Sequence, residues 1–436
     1  MFNNIRSKNN LFPRKILIKI LEFIDLPEIL LLIGARQVGK TSILHLIIAE
    51  LKKKGVQENT IFFFDLEDLQ TLNIFNSGVP EFISYLKAQG ADLNKKNFIF
   101  VDEVQYMDNP SNFLKLIADN ANLKPIVSGS STLDIRKKFK DSLAGRKIVF
   151  EIFPLDFYEF LIFKGENKLA EALSENDIRK LNLNSNIEKL PVRFFADTLQ
   201  RYFNEYAIFG GYPRVVLEPG YEKKAVFLNE IYNSYVKKDI KDIMRVENVT
   251  AFNNLIKVLS IQVGNLVNLS ELCTTVKIAR ETMERYLFLL ENTFIIKTAS
   301  PFSTNPRKEI SKMPKIYFTD TGLRNMVLKN FSDMESRVDT GALIENSVYS
   351  NIVKNLTLLE EAHFWRTLSG NEVDFVVLKE NKLTPVEVKY SSFKKPRIPA
   401  GIRYFTKDHP GEKSFVLNKD FFGRSGNTIF LPVWLC

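Results

Sequence analysis

Short apolar runs alternate with stretches of helical periodicity from the N-terminus to about residue 150. The apolar runs cover residues 29–33, 61–65, 98–102, 125–128 and 147–153. Nearly continuous apolar strands are typical of a parallel sheet whose two faces are both covered by helices. Such a sheet binds its ligand at the carboxyl ends of the strands. The pattern therefore predicts an α/β domain with a ligand site at the edge where Gly34 and Asp102 fall.

The pattern changes at the end of this region. Helical periodicity extends from about 154 to 245, with a polar interruption at 166–186 and a glycine-proline break at 210–213. Several short helices are predicted between 250 and 300, and a second α/β segment follows residue 335. The chain is therefore predicted to be an α/β protein with several domains.

A glycine-rich loop follows the first apolar strand directly. Residues 34–41 have the form G-x-x-x-x-G-K-T, and a helical stretch continues from there. In this motif backbone N–H groups wrap a pyrophosphate, the lysine reaches the β and γ phosphates, and the threonine hydroxyl ligates Mg²⁺. The predicted nucleotide-binding residues are Gly34, Ala35, Arg36, Gln37, Val38, Gly39, Lys40, Thr41 and Ser42. ATP is favoured because no N-K-x-D guanine signature follows the loop.

Two acidic residues end the apolar strand 98–102. Asp102 lies at the exit of this strand, which predicts a second Mg²⁺ ligand beside Thr41. Glu103 is one residue further on and is predicted to polarise the water that attacks the γ-phosphate. The alternative is that the two acids only begin a solvated loop.

Two further residues are candidates for the nucleotide site. Ser128 closes the strand 125–128, where it would contact the γ-phosphate or the attacking water. Capping of the next helix is an equal alternative. Arg146 is a candidate arginine finger for the phosphate of a neighbouring subunit, because a guanidinium stabilises transition-state charge. An ordinary surface arginine is the alternative.

A second candidate site is predicted near the C-terminus. Residues 372–378 and 385–390 form two strands around a polar turn at 379–382. If the turn is centred in the middle of that segment, Asp374 lies opposite Glu387. Opposed side chains have Cβ atoms about 4.5–5.5 Å apart, so the two carboxylates could share a second divalent cation, Mg²⁺ or Mn²⁺.

Lys389 completes this predicted site. It lies two residues after Glu387 on the same strand, so both side chains share one face. Lys389 could therefore orient a water or neutralise a scissile phosphate. The alternative is a salt-bridged hairpin whose polar face meets solvent.

The order of the motifs resembles that of bacterial and archaeal AAA+-type ATPases of the AAA_14 group with a C-terminal DUF4143 region. The motifs are the P-loop, Phe-Val-Asp-Glu-Val-Gln, Ser-Gly-Ser-Ser, Leu-Ala-Gly-Arg, Phe-Pro-Leu-x-Phe-x-Glu-Phe and Gly-Gly-Tyr-Pro. Segments 315–323 and 341–346 extend the resemblance over nearly the whole chain. The C-terminal hairpin resembles the Asp…Glu-x-Lys core of restriction-endonuclease-like nucleases, and Glu345 matches the additional acidic position of that superfamily.

This resemblance implies four parts. They are a P-loop parallel-sheet AAA+-like ATPase core at 1–153, a helical lid at 154–248, a winged-helix-like module at 249–330 and a restriction-endonuclease-like α/β domain at 331–436. The candidate catalytic residues are Lys40, Glu103, Arg146, Glu345, Asp374, Glu387 and Lys389. The candidate metal ligands are Thr41 and Asp102 in the core, and Asp374 and Glu387 in the C-terminal domain.

Charge and a second motif bear on DNA binding. The formal net charge of +9 permits nucleic-acid binding without requiring it. Residues 268–291 resemble a helix-turn-helix, but Glu281 and Glu284 lie on the outward face of its second helix. Acidic residues there would repel phosphates. This segment is either a DNA-contacting module or a helical packing module.

Cysteine content and hydropathy restrict the cellular setting. Cys273 and Cys436 are the two cysteines of the chain, which excludes a disulfide framework and favours a reducing, cytoplasmic location. No apolar run approaches the roughly 18 residues that span a bilayer, so no membrane partner is expected.

Two functions are consistent with these features. The leading hypothesis is an ATPase whose hydrolysis moves or gates a C-terminal nuclease-like domain that acts on DNA. The alternative is a nucleotide-dependent regulatory switch whose C-terminal domain binds a partner without cleavage. ATP and DNA are thus the expected partners, and a homo-oligomer or a regulatory protein partner is left open.

Overall fold

The structure, a computed structural model, describes residues 11–130, 143, 145–235, 246, 248–303, 313–411 and 413–436. Ser131 of the Ser-Gly-Ser-Ser motif and the predicted helical residues 236–245 lie outside these ranges. The chain divides into two units, Met1–Phe153 and Pro154–Cys436. None of the described helices is both long and apolar enough to cross a membrane.

The first unit contains a five-stranded parallel sheet, which confirms the predicted fold class. Its strands are β1 (Ile29–Ile33), β2 (Ile61–Asp65), β3 (Asn97–Asp102), β4 (Leu123–Gly129) and β5 (Lys147–Glu151), in the order β2-β3-β4-β1-β5. Its helices are α1 (Lys15–Glu22), α2 (Lys40–Lys53), α3 (Leu69–Asn76), α4 (Val79–Ala88) and α5 (Pro110–Ala118). All of β1 is buried between β4 and β5, which explains its unbroken apolar sequence.

Strand β4 begins two residues earlier than the apolar pattern predicts. The difference arises at Lys124, which is a polar residue in the sequence but is only 3% exposed in the structure. Its ammonium donates to the carbonyl oxygens of Leu26 at 2.6 Å and Phe23 at 3.4 Å. The lysine thus satisfies carbonyl groups that follow α1, and burial lowers its pKa to about 8. A hydropathy pattern cannot show such a contact because its partners lie far away in the sequence.

The second unit begins with helices. These are α6 (Phe157–Phe163), α7 (Asn167–Glu175), α8 (Ala196–Phe209), α9 (Pro213–Leu217) and α10 (Tyr221–Ser234). Next come α11 (Val249–Ile261), α12 (Leu269–Val276), α13 (Arg280–Asn292) and the antiparallel strands β6 (Ile296–Ala299) and β7 (Lys315–Phe318). The order of three helices and two strands is the order that a winged-helix-like module would have, and that assignment remains a prediction.

The unit ends with a six-stranded mixed sheet. Two helices precede it, α14 (Thr321–Leu328) and α15 (Thr340–Asn355). The sheet consists of β8 (Glu360–Arg366), β9 (Glu372–Lys379), β10 (Lys382–Lys389), β11 (Ser414–Asn418), β12 (Gly423–Ser425) and β13 (Thr428–Pro432), with α16 (Ala400–Asp408) between β10 and β11. Strands β8, β9 and β10 are antiparallel, whereas β10, β11 and β13 run parallel. The predicted second α/β segment is therefore confirmed as a separate mixed sheet.

The Phe-Pro-Leu-x-Phe-x-Glu-Phe motif begins α6 with a capping box. The Asp156 carboxylate accepts a hydrogen bond from the Glu159 backbone N–H at 2.8 Å, and the Glu159 carboxylate accepts one from the Asp156 N–H at 3.4 Å. The side-chain oxygen of Asn351 in α15 accepts the Phe157 N–H at 3.0 Å. The acidic residues of this motif therefore stabilise a helix start.

The Gly-Gly-Tyr-Pro motif packs against the segment that begins α14. Asp320 accepts hydrogen bonds from the Gly211 N–H at 2.7 Å and the Leu323 N–H at 3.0 Å. A Cβ atom on Gly322 would lie 2.0 Å from the carbonyl oxygen of Phe209, so a larger residue cannot fit there. The Asp320 carboxylate and the close approach of Gly322 to the Phe209 carbonyl thus hold α8 and α14 together.

Candidate functional site

The P-loop glycines are both required by the backbone. A Cβ atom on Gly34 would lie 2.2 Å from the carbonyl oxygen of Ile152, so the loop can leave β1 only through a glycine. Gly39 has a φ of +95° and is the N-cap of α2. A left-handed conformation of this kind favours glycine. The sequence motif is therefore explained by local geometry before any ligand is considered.

Lys40 folds back over its own loop. Its ammonium donates to the carbonyl oxygens of Gly34 at 3.1 Å and Ala35 at 2.9 Å, and the residue is only 4% exposed. Among its loop neighbours Val38 is buried, while Gln37, Thr41 and Ser42 are exposed and Arg36 is partly exposed. The loop therefore presents these polar residues to a ligand and keeps its lysine close by.

Arg14 supports the loop from behind, and sequence reasoning missed it. Its guanidinium donates to the carbonyl oxygens of Val38 and Phe153, each at 2.9 Å, and the residue is 7% exposed. It thus links the P-loop to the last residue of the first unit. A single arginine just before a helix gives no local signal, because exposed arginines have the same sequence context.

Asp102 accepts hydrogen bonds from predicted nucleotide-site residues on helix α2 and on the neighbouring strand β4. One of its carboxylate oxygens accepts the Thr41 hydroxyl at 2.5 Å. The other accepts the Ser128 hydroxyl and, at 3.1 Å, the backbone N–H of Glu103. Asp102 itself is 3% exposed. The structure therefore brings Thr41, Asp102 and Ser128 together at the carboxyl end of the sheet.

Glu103 is held in an unusual backbone conformation beside this carboxylate. Its φ is +55°, which costs a non-glycine residue about 1–3 kcal/mol and is concentrated at functional sites. The Gln105 amide donates to the Glu103 carboxylate and, at 3.0 Å, to the Ser130 hydroxyl. Gln105 thus orients Glu103, a role not predicted although Gln105 belongs to the Phe-Val-Asp-Glu-Val-Gln motif.

Asp65 adds a further acid to the same edge. The register of β2 and β3 pairs Asp65 with Asp102. Asp65 is exposed, but partial desolvation raises its pKa, and the negative charges of Asp102, Glu67 and Glu103 raise it further. The edge of the sheet therefore has a negative field suited to a divalent cation. The position of Asp65 at the end of the second predicted strand was the sequence signal for this role.

Arg146 lies on the surface of the first unit. Its guanidinium forms an ion pair with Asp119, and the side chains are 43% and 47% exposed, respectively. An exposed pair of this kind contributes little stability. The arginine-finger assignment remains a prediction.

The C-terminal hairpin has the predicted register. Glu380 and Asn381 form its turn with φ values of +47° and +65°. Phe375 pairs with Val386, so the next residues along the ladder, Asp374 and Glu387, face each other. Both are buried, at 7% and 4% exposure, so this polar face does not meet solvent as the alternative interpretation proposed.

Asp374, Glu387 and Lys389 form a hydrogen bond and an ion pair within the hairpin. Asp374 accepts the Val388 N–H at 2.8 Å, and the Lys389 ammonium lies 2.7 Å from Glu387. Burial raises the pKa of Glu387 to about 7, and the charge of Asp374 adds to this effect. Burial also raises the pKa of Asp374 itself. Buried neighbouring carboxylates thus favour a shared proton or a cation.

Strand β7 contributes two residues to this site that sequence reasoning missed. The Lys315 ammonium lies 2.5 Å from Glu372 and 3.5 Å from Glu345, and the Tyr317 hydroxyl donates to Glu345 at 2.6 Å. Burial raises the pKa of Glu345 to about 7, and the charge of Asp374 raises it as well. We refer to the carboxylate cluster as Lys315, Tyr317, Glu345, Glu372, Asp374, Glu387 and Lys389. The available signals were that Lys315 and Tyr317 are two residues apart on a strand and belong to the segment 315–323 of the resemblance.

The residues of the two predicted metal sites differ in how well they suit a divalent cation. Thr41 and Asp102 place two oxygen ligands side by side, which suits a Mg²⁺ that also binds nucleotide phosphates. The carboxylate cluster does not fit a second divalent cation, because lysine ammonium groups lie against Glu372, Glu345 and Glu387. Within the described ranges, no group of three or more His, Cys, Asp and Glu side chains is placed to hold a metal ion.

Three segments of the chain match known families. Residues 26–161 match AAA_14, described as an AAA domain, and residues 340–435 match DUF4143, a domain of unknown function. Together with the P-loop and the parallel sheet, the first match defines the first unit as a P-loop ATPase domain of the AAA type. More particularly, this chain combines an AAA_14 domain with a C-terminal DUF4143 region, which confirms the resemblance. Residues 200–334 match DUF8612, also a domain of unknown function.

Similar proteins occur in archaea and bacteria. An uncharacterized protein of Methanocaldococcus jannaschii is 28% identical over 383 residues, which cover 87% of this chain and 77% of that protein. An uncharacterized protein of Haemophilus influenzae is 23% identical over 392 residues, 88% of each chain. Among solved structures, a Walker-type ATPase of Pyrococcus abyssi has a TM-score of 0.47 and 15% identity, covering 74% of this chain and 99% of that one.

Proposed function

We propose that this chain binds and hydrolyses ATP with Mg²⁺ and that the hydrolysis cycle drives its C-terminal DUF4143 region to act on DNA. The observation that supports ATP hydrolysis best is the convergence of Thr41 and Ser128 on the Asp102 carboxylate. The ends of two strands, β3 and β4, and the start of helix α2 meet there beside the P-loop. A purely structural glycine-rich turn does not require this arrangement.

The P-loop residues would hold the nucleotide and its metal. Thr41 and Asp102 would ligate Mg²⁺, which supplies neutralising charge to the phosphates when it is bound. Lys40 would exchange its contacts with the Gly34 and Ala35 carbonyls for phosphate oxygens. Because the ammonium is already desolvated, little additional desolvation cost is expected when ATP binds.

Glu103 and Ser128 would act on the attacking water. Glu103 would accept its proton or orient it, and the hydrogen bond from Gln105 would hold the carboxylate in place. The Ser128 hydroxyl donates to Asp102, which favours a role at the nucleotide over helix capping. A water oriented by Glu103 would attack the γ-phosphorus and release phosphate, leaving ADP.

DNA is proposed as the substrate on two grounds. The net charge of +9 favours a polyanionic partner. The order of α11, α12, α13, β6 and β7 supports a winged-helix-like module. Arg280 of α13 is paired with Glu284 at 2.8 Å, which weakens its attraction for phosphates and argues that this helix is not the main DNA contact.

The first test is ATP hydrolysis with and without DNA. We expect Mg²⁺-dependent phosphate release that DNA stimulates and that Lys40→Ala abolishes. Lys54→Ala, which removes an exposed lysine just after α2, serves as the matched control and should leave the rate unchanged. Turnover retained in Lys40→Ala would overturn the P-loop assignment, and a rate indifferent to DNA would overturn the DNA-coupled part of the proposal.

A regulatory switch is the second candidate function. The lysines that pair with Glu372 and Glu387 disfavour a catalytic metal ion there, which supports a C-terminal region that binds a partner without cleaving anything. Incubating supercoiled and linear DNA with the native chain and with Asp374→Asn distinguishes the two. Cleavage that the substitution removes supports the nuclease-like assignment, and intact DNA in every reaction supports the switch.

A further inference from the structure

The carboxylate cluster contains a buried ammonium that no predicted role uses. The Lys315 side chain is 3% exposed, and its ammonium lies 2.5 Å from Glu372 and 3.5 Å from Glu345. A buried ammonium is costly unless anionic partners surround it. The neighbouring charges of Glu345, Asp374 and Glu372 more than offset burial and raise the pKa of Lys315. The lysine is therefore charged as an integral part of the cluster.

The other carboxylates of the cluster are also engaged. One oxygen of Asp374 accepts the Val388 N–H, and one oxygen of Glu387 lies 2.7 Å from the Lys389 ammonium. The second oxygen of Glu387, Oε2, is buried and has no hydrogen-bond partner among the described residues. It is thus the one orphaned acceptor that the described part of this cluster presents. A divalent cation needs several such oxygens at once.

We propose that Lys315 is the resident cation of the carboxylate cluster and that its ammonium keeps divalent metal ions out of this site. In the described geometry Lys315 neutralises Glu345 and Glu372, while Lys389 neutralises Glu387. Removing the Lys315 ammonium would leave the carboxylates of Glu345 and Glu372 without this cation, so that they could turn toward a divalent metal ion. The charge of Asp374 acts on both Glu345 and Glu387, so Asp374 is the carboxylate expected to join them around such an ion.

The resident cation comes from outside the DUF4143 match. Lys315 lies on β7, within the 200–334 match, whereas Asp374 and Glu387 lie within the 340–435 match. Strand β7 is anchored by its pairing with β6, and Lys315 itself forms a bridge with Leu266. The segment before the DUF4143 region therefore supplies the cation that occupies the carboxylate cluster. A metal ion could enter the cluster only if β7 or Lys315 were displaced.

Binding of Mn²⁺, measured by its electron paramagnetic resonance signal without nucleotide, tests this inference independently of ATP hydrolysis. The native chain and its Glu387→Gln variant should give the same Mn²⁺ isotherm. Lys315→Met should gain a site that binds at least tenfold more tightly than any Mn²⁺ binding of the native chain. Adding Asp374→Asn to Lys315→Met should remove that site.

Lys297→Met is the matched control, because Lys297 lies on the paired strand opposite Tyr317. It removes the same charge and should gain no Mn²⁺ site. A native isotherm that contains a site lost in Glu387→Gln would overturn the proposal. A folded Lys315→Met chain, checked by circular dichroism, that gains no Mn²⁺ site would overturn it as well. The comparison of the native chain with Glu387→Gln remains decisive if Lys315→Met does not fold.

Discussion

At the scale of single residues, both sites depend on carboxylates whose two oxygens have different partners. Asp102 accepts hydroxyl groups from Thr41 on one oxygen and Ser128 on the other. Glu387 pairs with Lys389 through one oxygen, and the other has no partner among the described residues. The first arrangement is ready for a cation between well-oriented oxygen ligands. The second is already neutralised by side chains of the protein.

Glu103→Gln is expected to separate ATP binding from hydrolysis. The amide keeps the shape of the side chain but cannot accept a proton, and such a loss typically lowers a rate by about 10²–10⁴-fold. Phosphate release should fall by that order while the affinity for a fluorescent ATP analogue stays within about threefold. Glu67→Gln, which changes an exposed acid nearby, is the control and should retain full turnover. An unchanged rate in Glu103→Gln would remove it from the catalytic residues.

Glu345 is expected to make stability depend on pH. Its pKa is raised from an ordinary value near 4.5 to about 7, so between these values the folded chain holds a proton that the unfolded chain has released. The stabilisation is complete below the lower value and is lost as the pH rises through the higher one. Glu345→Gln should reduce this loss by about 1–3 kcal/mol.

Thermal unfolding of the native chain and of Glu345→Gln, followed between pH 5 and pH 8, measures this effect. The exposed Glu222→Gln variant controls for the loss of an ordinary carboxylate and should follow the native profile. Parallel profiles for all three proteins would contradict the assignment of a raised pKa to Glu345.

At the scale of elements, loops and helix ends determine where the functional groups lie. Gly34 and Gly39 allow the P-loop to leave β1 and enter α2, so Lys40 and Thr41 begin a helix beside the sheet edge. In the second unit the turn of the β9–β10 hairpin sets the register that opposes Asp374 and Glu387. A shift of one residue would move one of these carboxylates to the other face of the sheet.

The α8–α14 contact is expected to tolerate no side chain at Gly322. Gly322→Ala places a methyl carbon 2.0 Å from the Phe209 carbonyl oxygen, and overpacking of this kind costs about 1–3 kcal/mol. The midpoint of thermal unfolding should fall by about 2–4 °C for each kcal/mol lost. Gly341→Ala is the control, since its Cβ meets nothing within 4 Å, and it should leave the midpoint nearly unchanged. Equal midpoints for both variants would refute the close contact.

At the scale of the whole molecule, the nucleotide site and the carboxylate cluster belong to different units of the chain. The P-loop residues lie in Met1–Phe153 and the cluster lies in Pro154–Cys436. Arg14 ties the P-loop to Phe153, the last residue of the first unit. Arg14 thus links the P-loop to the residue directly before the second unit.

Arg146 gives a prediction about assembly. If it acts on a neighbouring subunit's phosphate, Arg146→Ala should lower hydrolysis about tenfold or more and leave ATP affinity nearly unchanged. The turnover per native chain should then rise with protein concentration. Asp119→Asn, which removes the partner of Arg146 within the chain, is the matched variant and should retain hydrolysis. An equal loss of binding and hydrolysis in Arg146→Ala would exclude the finger role.

The sequence alone was sufficient for contiguous signals. The P-loop, the parallel sheet and the register of the hairpin were all predicted, because each depends on residues adjacent in sequence or on one repeating period. Thr41 and Asp102, which are 61 residues apart, were predicted to lie close enough to share one Mg²⁺, and in the structure they form a direct hydrogen bond. The reason is that the carboxyl ends of parallel strands meet at one edge of a sheet.

Only the tertiary structure decided which distant side chains complete these sites. Arg14 reaches Phe153 across 139 residues, and Lys315 reaches Glu372 across 57. No period or motif connects such pairs, since a buried ion or carbonyl contact depends on how separate elements pack. The sequence by itself determined that this protein has a nucleotide site and a carboxylate hairpin. The position of β7 beside that hairpin decided that Lys315 pairs with Glu372. The partner of a buried charge depends on how separate elements pack, which the sequence does not show.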